Sequence, residues 1–328
     1  MIRFRRTLLL LHVLVTGGGG YFGSRLGRKL VSQGMSVILV DVNKPPCDIP
    51  DGAVYYQSDI RDYSSLYKVC EGVDCIFHTA SYGMSGPEQL RREQVESVNI
   101  DGTNNVINAC KERSIPRLVY TSTINVVFTG EPIEERDETS VPHVGCAKTY
   151  SKCVSFSEML SCEGGGLLRT CSLRPSGIYG PDERRHLHRV NVERRLFIFR
   201  FGDPRARMNW VHVDNLVLAH TLAARALTPH RSYVSSGQVY FINDGVSVNL
   251  FEWLTPSITV SHTFKIDKAR RELGYCPKPY NLVDCVEQYL KTRQHRTSGL
   301  PFNLLHRPLI LLLLSGLSLL LLILFSQN

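Results

Sequence analysis

The run His12-Val13-Leu14-Val15 passes without a break into Thr16-Gly17-Gly18-Gly19-Gly20-Tyr21-Phe22-Gly23, and Leu26, Leu30 and Val31 follow at helical spacing. A strand, a glycine turn and a helix in that order admit few folds. Gly17 permits a tight bend, Gly20 lets a backbone approach a diphosphate, and Gly23 lets the helix lie close on the strand. The amino terminus of the helix then offers unpaired N–H groups to an anion. Four glycines in a row also make a merely flexible loop, so context decides. A second apolar run, Val37 to Val40, ends in Asp41, about 20 residues beyond the turn, where a carboxylate accepts both hydroxyls of an adenosine ribose. The alternative is a surface Asp that closes a strand. A carboxylate there repels a 2′-phosphate and no Arg directly follows it, which favours NAD(H) over NADP(H) as cofactor; Arg61 leaves the second open.

Further along, short apolar runs alternate with amphipathic stretches. Val54-Tyr55-Tyr56 precedes Asp59-Ile60, Cys75-Ile76-Phe77 precedes His78-Thr79-Ala80, Leu118-Val119-Tyr120 precedes Thr121-Ser122-Thr123, and Cys171-Ser172-Leu173 precedes Arg174-Pro175. This alternation predicts an α/β fold with a Rossmann-type doubly wound parallel sheet. A chain of 328 residues, 43% of them hydrophobic, is long enough for one such domain and a smaller lobe. We place the nucleotide-binding domain at 12–182, with further elements returning from 207–245. A smaller carboxyl-terminal lobe at 183–290 covers the carboxyl edge of the sheet, where ligands of such folds bind.

Ten cysteines form neither a C-x-x-C pair nor a zinc-like Cys/His cluster, so no metal site is predicted and the thiols read as reduced, in keeping with a cytosol-facing domain. The net charge of +8 gathers in Arg184 to Arg207 and in Lys291 to Arg307. Without aromatic-interleaved basic modules this gives no nucleic-acid surface. The second cluster instead borders an apolar run, Leu309 to Phe325, broken only by Ser315, Gly316 and Ser318. Those residues make a helix of about 25 Å, short for an average bilayer core and close to that of the endoplasmic reticulum. A transmembrane helix at 304–325 is the expectation, with basic flanks that put the globular part on the cytosolic side; a buried terminal helix is the alternative. Arg3, Arg5, Arg6 and Leu8 to Leu11 imitate a signal peptide, but cleavage there would remove the first strand.

Exchange between an alcohol and a carbonyl through a nicotinamide needs a hydride path and a proton donor or acceptor. Thr123 or Ser122, at the end of a strand, and Tyr150, after a loop, are the candidates. Together with Thr16 to Gly23, Asp41, Asp59-Ile60, His78 to Ser81, Asn99, Tyr120 to Thr123, Leu173 to Pro181 and Val211 to Asn215, they resemble the extended short-chain dehydrogenase/reductases. Ala80 to Gly86, Leu118 to Thr123, Arg184 to Leu187, Phe201 to Arg205 and the apolar tail are most similar to the 3β-hydroxysteroid dehydrogenase/isomerase branch, and within it to family 42E. The resemblance covers roughly residues 12 to 290. It implies an NAD-dependent oxidoreductase acting on a sterol- or steroid-like apolar small molecule, attached to the membrane through the C-terminal helix, with a homodimer left open. It puts the hydroxyl partner on Thr123 and the proton-transferring phenol on Tyr150. Gly17, Gly20, Tyr21, Phe22, Gly23, Asp41, Asp59, Ile60, His78 and Ala80 fall on the cofactor. For His78 a loop-packing role is the alternative, and His212 and Asp214 read either as acid/base groups or as a cap that holds the second lobe. Asn99 fits a supporting role.

Two departures stand out. The family sets a lysine four residues after the tyrosine, one helical turn on, where its ammonium lowers the phenol's pKa and holds the nicotinamide ribose. Here that position is Val154, and Lys152 at i+2 is rotated about 200° away. The passage Asn249 to Thr263 is also shorter than in the family, so the lobe reads as truncated. The competing readings are therefore a catalytically impaired NAD-binding membrane protein and a nucleotide-sugar epimerase or dehydratase, which gains nothing from a membrane anchor.

Overall fold

The computed structural model describes residues 11–45, 47–84, 87–128, 130–141, 168–183, 203–249 and 261–297. The expected helix at 304–325 lies outside them, as do Tyr150, Lys152 and Val154. Among the described residues no helix is long and apolar enough to cross a membrane.

Strands β1 (His12–Thr16), β2 (Ser36–Asp41), β3 (Ala53–Gln57), β4 (Cys75–His78), β5 (Arg117–Thr121), β7 (Arg169–Pro175) and β10 (Gln238–Ile242) form a seven-stranded sheet in the order β10-β7-β5-β4-β1-β2-β3. Every pairing in it is parallel. The order reverses between β1 and β4, so the chain leaves β1 toward one edge and returns to build the other. That reversal opens a crevice at the carboxyl ends of the two strands. The doubly wound parallel sheet expected from the sequence is thus present.

Both faces of the sheet are covered, which is why its strands read as unbroken apolar runs instead of alternating ones. Val13, Val15, Phe77, Val119 and Leu173 pack with Leu26 and Leu30 of α1 (Tyr21–Ser32) and with Leu216 of α5 (Val213–Ala226). Leu14, Ile76 and Leu118 pack on the other face with Leu66 of α2 (Tyr63–Val69) and with Val106 and Cys110 of α4 (Gly102–Glu112). Each such side chain contributes about 1.5–3 kcal/mol of burial. Cys70 and Cys75 lie in this core as thiols pushed up to about 12 by burial, which leaves them unreactive at neutral pH.

A second sheet runs β11-β9-β12-β6, with β8 (Gly177–Tyr179) also paired to β9 (Arg207–His212). Its outer members are β11 (Ser247–Asn249) and β6 (Ile133–Arg136), and β12 (His262–Phe264) lies between β9 and β6. β6 falls inside the 12–182 span yet joins this sheet. Asp244, just past β10, fastens the two sheets together. Its carboxylate accepts from the Tyr179 hydroxyl at 2.7 Å, the His212 N–H at 3.0 Å and the Asn215 amide at 2.7 Å. The outer edge of β10 is also occupied. Glu138 accepts from the Phe241 N–H at 2.7 Å, and the Lys268 ammonium donates to the Val239 carbonyl at 3.0 Å.

Two compact units divide the chain, 1–283 and 284–328. The first holds both sheets. The described part of the second belongs to α6 (Leu282–Thr297), where Lys291 pairs with Glu287 one turn earlier at 3.8 Å.

His220 ties α5 to β5. Its Nδ1 donates to the Leu216 carbonyl at 2.9 Å, and its Nε2 accepts from the Thr121 hydroxyl at 2.7 Å. Burial lowers its pKa to about 4, so the fold needs the neutral ring. With the unfolded value near 6.5, this contribution is complete above pH 6.5 and is lost as pH falls toward 4, a change of about 3 kcal/mol. Urea unfolding at pH 7 and pH 4.5 is expected to show the loss in the parent chain and a shallower one in His220→Gln.

Candidate active site

The site begins where β1 ends. Gly17 takes φ +72°, a left-handed conformation that an L side chain adopts only with strain. A Cβ there would also lie 2.8 Å from the Ala80 nitrogen. Gly23 is required for a different reason: its Cβ would run into the Gly17 carbonyl oxygen, so α1 can lie on the turn only without a side chain at that point. Gly20 differs from both, since a Cβ there meets nothing nearer than the Gly17 oxygen at 3.2 Å. Its outer side is open, with room for a ligand.

Helix α1 starts from Gly20 with no side-chain cap and no acidic residue in its first turn. Among the described residues the N–H groups of Tyr21 and Phe22 meet no acceptor, whereas those of Gly18, Gly19 and Gly20 bond to Val40, Asp41 and Gly17. Two free N–H groups on the positive end of a helix dipole, beside an open glycine, are the donor set that a diphosphate takes.

Asp41 stands at the end of β2. One carboxylate oxygen accepts from the Gly19 N–H at 3.0 Å and the other from the Asn43 N–H at 2.9 Å, which fixes the carboxylate beside the glycine turn with lone pairs to spare. Arg61 does not turn toward it. The guanidinium is held by both oxygens of Asp59, at 2.6 to 3.1 Å, and reaches Ser97 at 3.3 Å. Asp59 is correspondingly held below the usual carboxylate range by that bond. Ile60 is buried, and a Cβ at Gly102 would lie 2.6 Å from it. The pair Asp59-Ile60 therefore braces the start of α4.

The His78 ring is fully buried and both nitrogens bond inside the protein, which fits the loop-packing alternative. The Thr103 hydroxyl donates to the Asn99 carbonyl at 2.8 Å and so accepts from His78 Nε2–H at 2.9 Å. That leaves Nδ1 as the acceptor of the Thr16 hydroxyl proton at 2.6 Å. Thr16 in turn accepts from the N–H groups of Thr79 at 3.2 Å and Ala80 at 3.3 Å. Burial pushes the pKa of His78 down to about 4 and keeps this order of donors intact. The relay ends at Asn99, in the π-helical turn Ser97–Asp101 between α3 (Arg92–Glu96) and α4. The Asn99 side-chain amide closes on the backbone of Tyr82 with two bonds of 2.8 Å. Ala80 thus sits on a loop held at both ends.

At the carboxyl end of β5, Thr123 accepts from the Asn125 N–H at 3.3 Å and caps the short turn Ile124–Val127. Among the described residues its own proton meets no acceptor. Ser122 beside it and Ser176 at the end of β7 are both buried, and among the described residues the hydroxyl of each finds no bonding partner. Ser122 donates its N–H to the Leu173 carbonyl at 2.7 Å, so these hydroxyls belong to adjacent strand ends. Buried hydroxyls left unbonded cost about 1–3 kcal/mol each, and their place at the carboxyl edge beyond the switch point is where such folds receive ligands. Ser176 could have been found only by asking which hydroxyls go unbonded, a question that the sequence does not answer.

The loop after β8 closes one side of the site. Tyr21 donates its hydroxyl to the Pro181 carbonyl at 3.0 Å, and Arg25 lies 4.2 Å over the Tyr21 ring while also donating to that carbonyl at 2.7 Å. Burial pushes the Tyr21 phenol well above its ordinary value, so it serves as a strut. His212 caps α5, accepting from the Asp214 N–H at 3.2 Å, and stacks on Tyr280 with ring centroids 3.6 Å apart. It is a cap, as one of the two sequence readings had it. The placement of Tyr150 relative to Thr123 lies outside the described residues.

Comparison with known proteins agrees with this geometry. A model of the 3-beta hydroxysteroid dehydrogenase/isomerase family matches residues 14–272. Short-chain dehydrogenase/reductase family 42E member 1 of Xenopus laevis is 40% identical, over 84% of this chain and 87% of its own. The 3-beta-hydroxysteroid dehydrogenase of Mycolicibacterium neoaurum is 32% identical, over 75% of this chain and 69% of its own. The solved structure of MoeE5 in complex with UDP-glucose and NAD superposes with a TM-score of 0.73 at 22% identity, over 87% of this chain and 100% of that one, and shares the fold.

Proposed function

Because the chain belongs to the 3-beta hydroxysteroid dehydrogenase/isomerase family, we propose that it is an NAD-dependent oxidoreductase that interconverts a hydroxyl and a keto group on a sterol- or steroid-like lipid. The observation that carries the reading is the cradle at α1: two unbonded N–H groups, an open Gly20, and a carboxylate fixed beside them. Tyr21 and Phe22 hold the diphosphate through their backbone, and Asp41 takes the ribose hydroxyls. A 2′-phosphate would meet that carboxylate, and the Arg61 guanidinium that could offset it is engaged by Asp59. NAD is named with similar solved structures, in keeping with this choice.

The coenzyme, when bound, supplies or accepts the hydride. The chain's own residues do the rest. Thr123 donates its hydroxyl proton to the substrate oxygen and Tyr150 exchanges a proton with it. The strapped loops over β4 and β8 exclude water from the crevice. Val154, in the place of the family's lysine, favours a second reading, a protein that binds the coenzyme and turns over slowly. A cation about 4–5 Å from a phenolate at intermediate dielectric is worth a few kcal/mol, and about 1.4 kcal/mol is tenfold in rate. An apolar tail at 304–325 holds the domain at the cytosolic face of the endoplasmic reticulum, which concentrates a lipid substrate at the site.

Three measurements test the proposal. NADH binding, followed by its fluorescence, is expected to be at least about tenfold tighter than that of NADPH, and Asp41→Ala is expected to erase most of the gap; equal affinities in the parent chain remove the assignment. Turnover of a sterol panel with NAD is expected to rise by about tenfold or more in Val154→Lys, whereas equal rates in parent and variant dismiss the slow-enzyme reading. Deletion of 309–325 is expected to release the protein from pelleted membranes, and unchanged pelleting counts against the anchor.

A further inference from the structure

A tight turn, Gly180-Pro181-Asp182-Glu183, stands between the start of α1 and the start of α5, closed by the Glu183 N–H on the Gly180 carbonyl at 3.3 Å. Gly180 and Glu183 are buried, whereas Pro181 and Asp182 are exposed. A Cβ at Gly180 would lie 2.9 Å from Val213, 3.0 Å from the Tyr21 hydroxyl and 3.2 Å from His212 Nε2, so this residue packs against both helix starts at once. Asp182 takes φ +63°, a left-handed backbone that glycine adopts freely and aspartate only at some cost.

The hold on the outer half of the turn comes from α1. The Tyr21 hydroxyl and the Arg25 guanidinium donate to the Pro181 carbonyl at 3.0 and 2.7 Å, and Arg25 pairs with the Asp182 carboxylate at 3.1 Å. These bonds lie at the surface, and the Asp182 side chain is 82% exposed. Solvent-exposed bonds on an exposed turn belong to the least stable part of a fold, which opens locally without global unfolding. A surface ion pair adds little, so the two bonds to the Pro181 carbonyl carry most of the hold.

This strap starts from the residue that serves the coenzyme. Tyr21 offers its backbone N–H to the diphosphate while its side chain holds Pro181, and Arg25 lies 4.2 Å over the same ring. The turn follows β8, which continues from β7, and the end of β7 lies beside the end of β5 that leads to Thr123. A coenzyme laid from Asp41 past Tyr21 toward Thr123 therefore has this turn as a side wall of its nicotinamide half.

We infer that the turn Gly180–Glu183 is a gate for coenzyme exchange and that Arg25 is the positioning residue that keeps it shut. The inference rests on the NAD reading given above and goes beyond it: the coenzyme enters and leaves past a wall whose opening rate is set by a side chain one helical turn from the diphosphate donors. Every bond of the strap joins one protein group to another, so the gate slows entry and exit alike. A binding contact behaves differently, since its loss speeds exit alone.

The test uses the full chain in detergent, without turnover. NADH association is followed by its fluorescence on rapid mixing, and release by displacement with excess NAD, for the parent, Arg25→Gln, Arg25→Lys and Asp182→Asn. Thermal unfolding is recorded beside them. Both rates are expected to rise about 5- to 10-fold in Arg25→Gln with Kd changed by less than about twofold; loss of the charge alone would slow association. Asp182→Asn, which breaks only the exposed ion pair, is expected to raise both rates about twofold. Arg25→Lys, which keeps the charge without the guanidinium fork, is expected to fall between the parent and Arg25→Gln. Rates in Arg25→Gln equal to the parent's overturn the inference. Faster release with unchanged or slower association also overturns it, because Arg25 is then a coenzyme contact. If Arg25→Gln fails to fold, Asp182→Asn decides, and rates there equal to the parent's overturn the gate. If NADH gives no signal with the parent, the coenzyme reading falls and the gate with it, an outcome separable from the others because no variant then shows a rate at all.

Discussion

A single close approach governs the architecture: α1 lies against the turn that follows β1 because Gly23 presents only hydrogen to the Gly17 carbonyl. That contact aims the free N–H groups of Tyr21 and Phe22 outward at the reversal of strand order. The sheet sets where the crevice opens, but only this packing makes its floor a row of donors. Asp41, Arg25 and the Pro181 loop then attach to that floor, and their positions follow from it.

The second constraint is a directional one. A hydroxyl donates one proton, so the chain of bonds from Ala80 through Thr16, His78 and Thr103 to Asn99 has only one consistent order. It requires a neutral ring with the proton on Nε2, and the desolvation of His78 supplies that state. The loop that follows β4 is held by this order at one end and by the Asn99 clamp on Tyr82 at the other.

The inner strands of the large sheet were legible because they are buried on both faces, and continuous apolar runs such as Val37 to Val40 need no tertiary context to be seen. Asp41 was legible for a related reason, since it ends such a run. The second sheet was not: β6 reads Ile133-Glu134-Glu135-Arg136, with one buried side chain and three exposed charged ones, and β8, β11 and β12 have three residues each. Pairing between distant segments creates those strands, and no local pattern announces it. The partners of His78 were hidden in the same way, because Thr16 and Thr103 are remote in sequence. The π-helical turn that presents Asn99 carries no residue pattern of its own.

The two margins of the large sheet are finished differently. At β10 a carboxylate occupies the Phe241 amide and an ammonium caps the Val239 carbonyl, so the backbone there offers no template to a foreign strand. At β3 no strand among the described residues pairs with the opposite margin, and Val54 and Tyr56 are solvent-exposed there. Growth of an intermolecular ribbon from the large sheet is therefore polar, favoured at β3 over β10, and a charge placed at Val54 or Tyr56 is the economical way to oppose it.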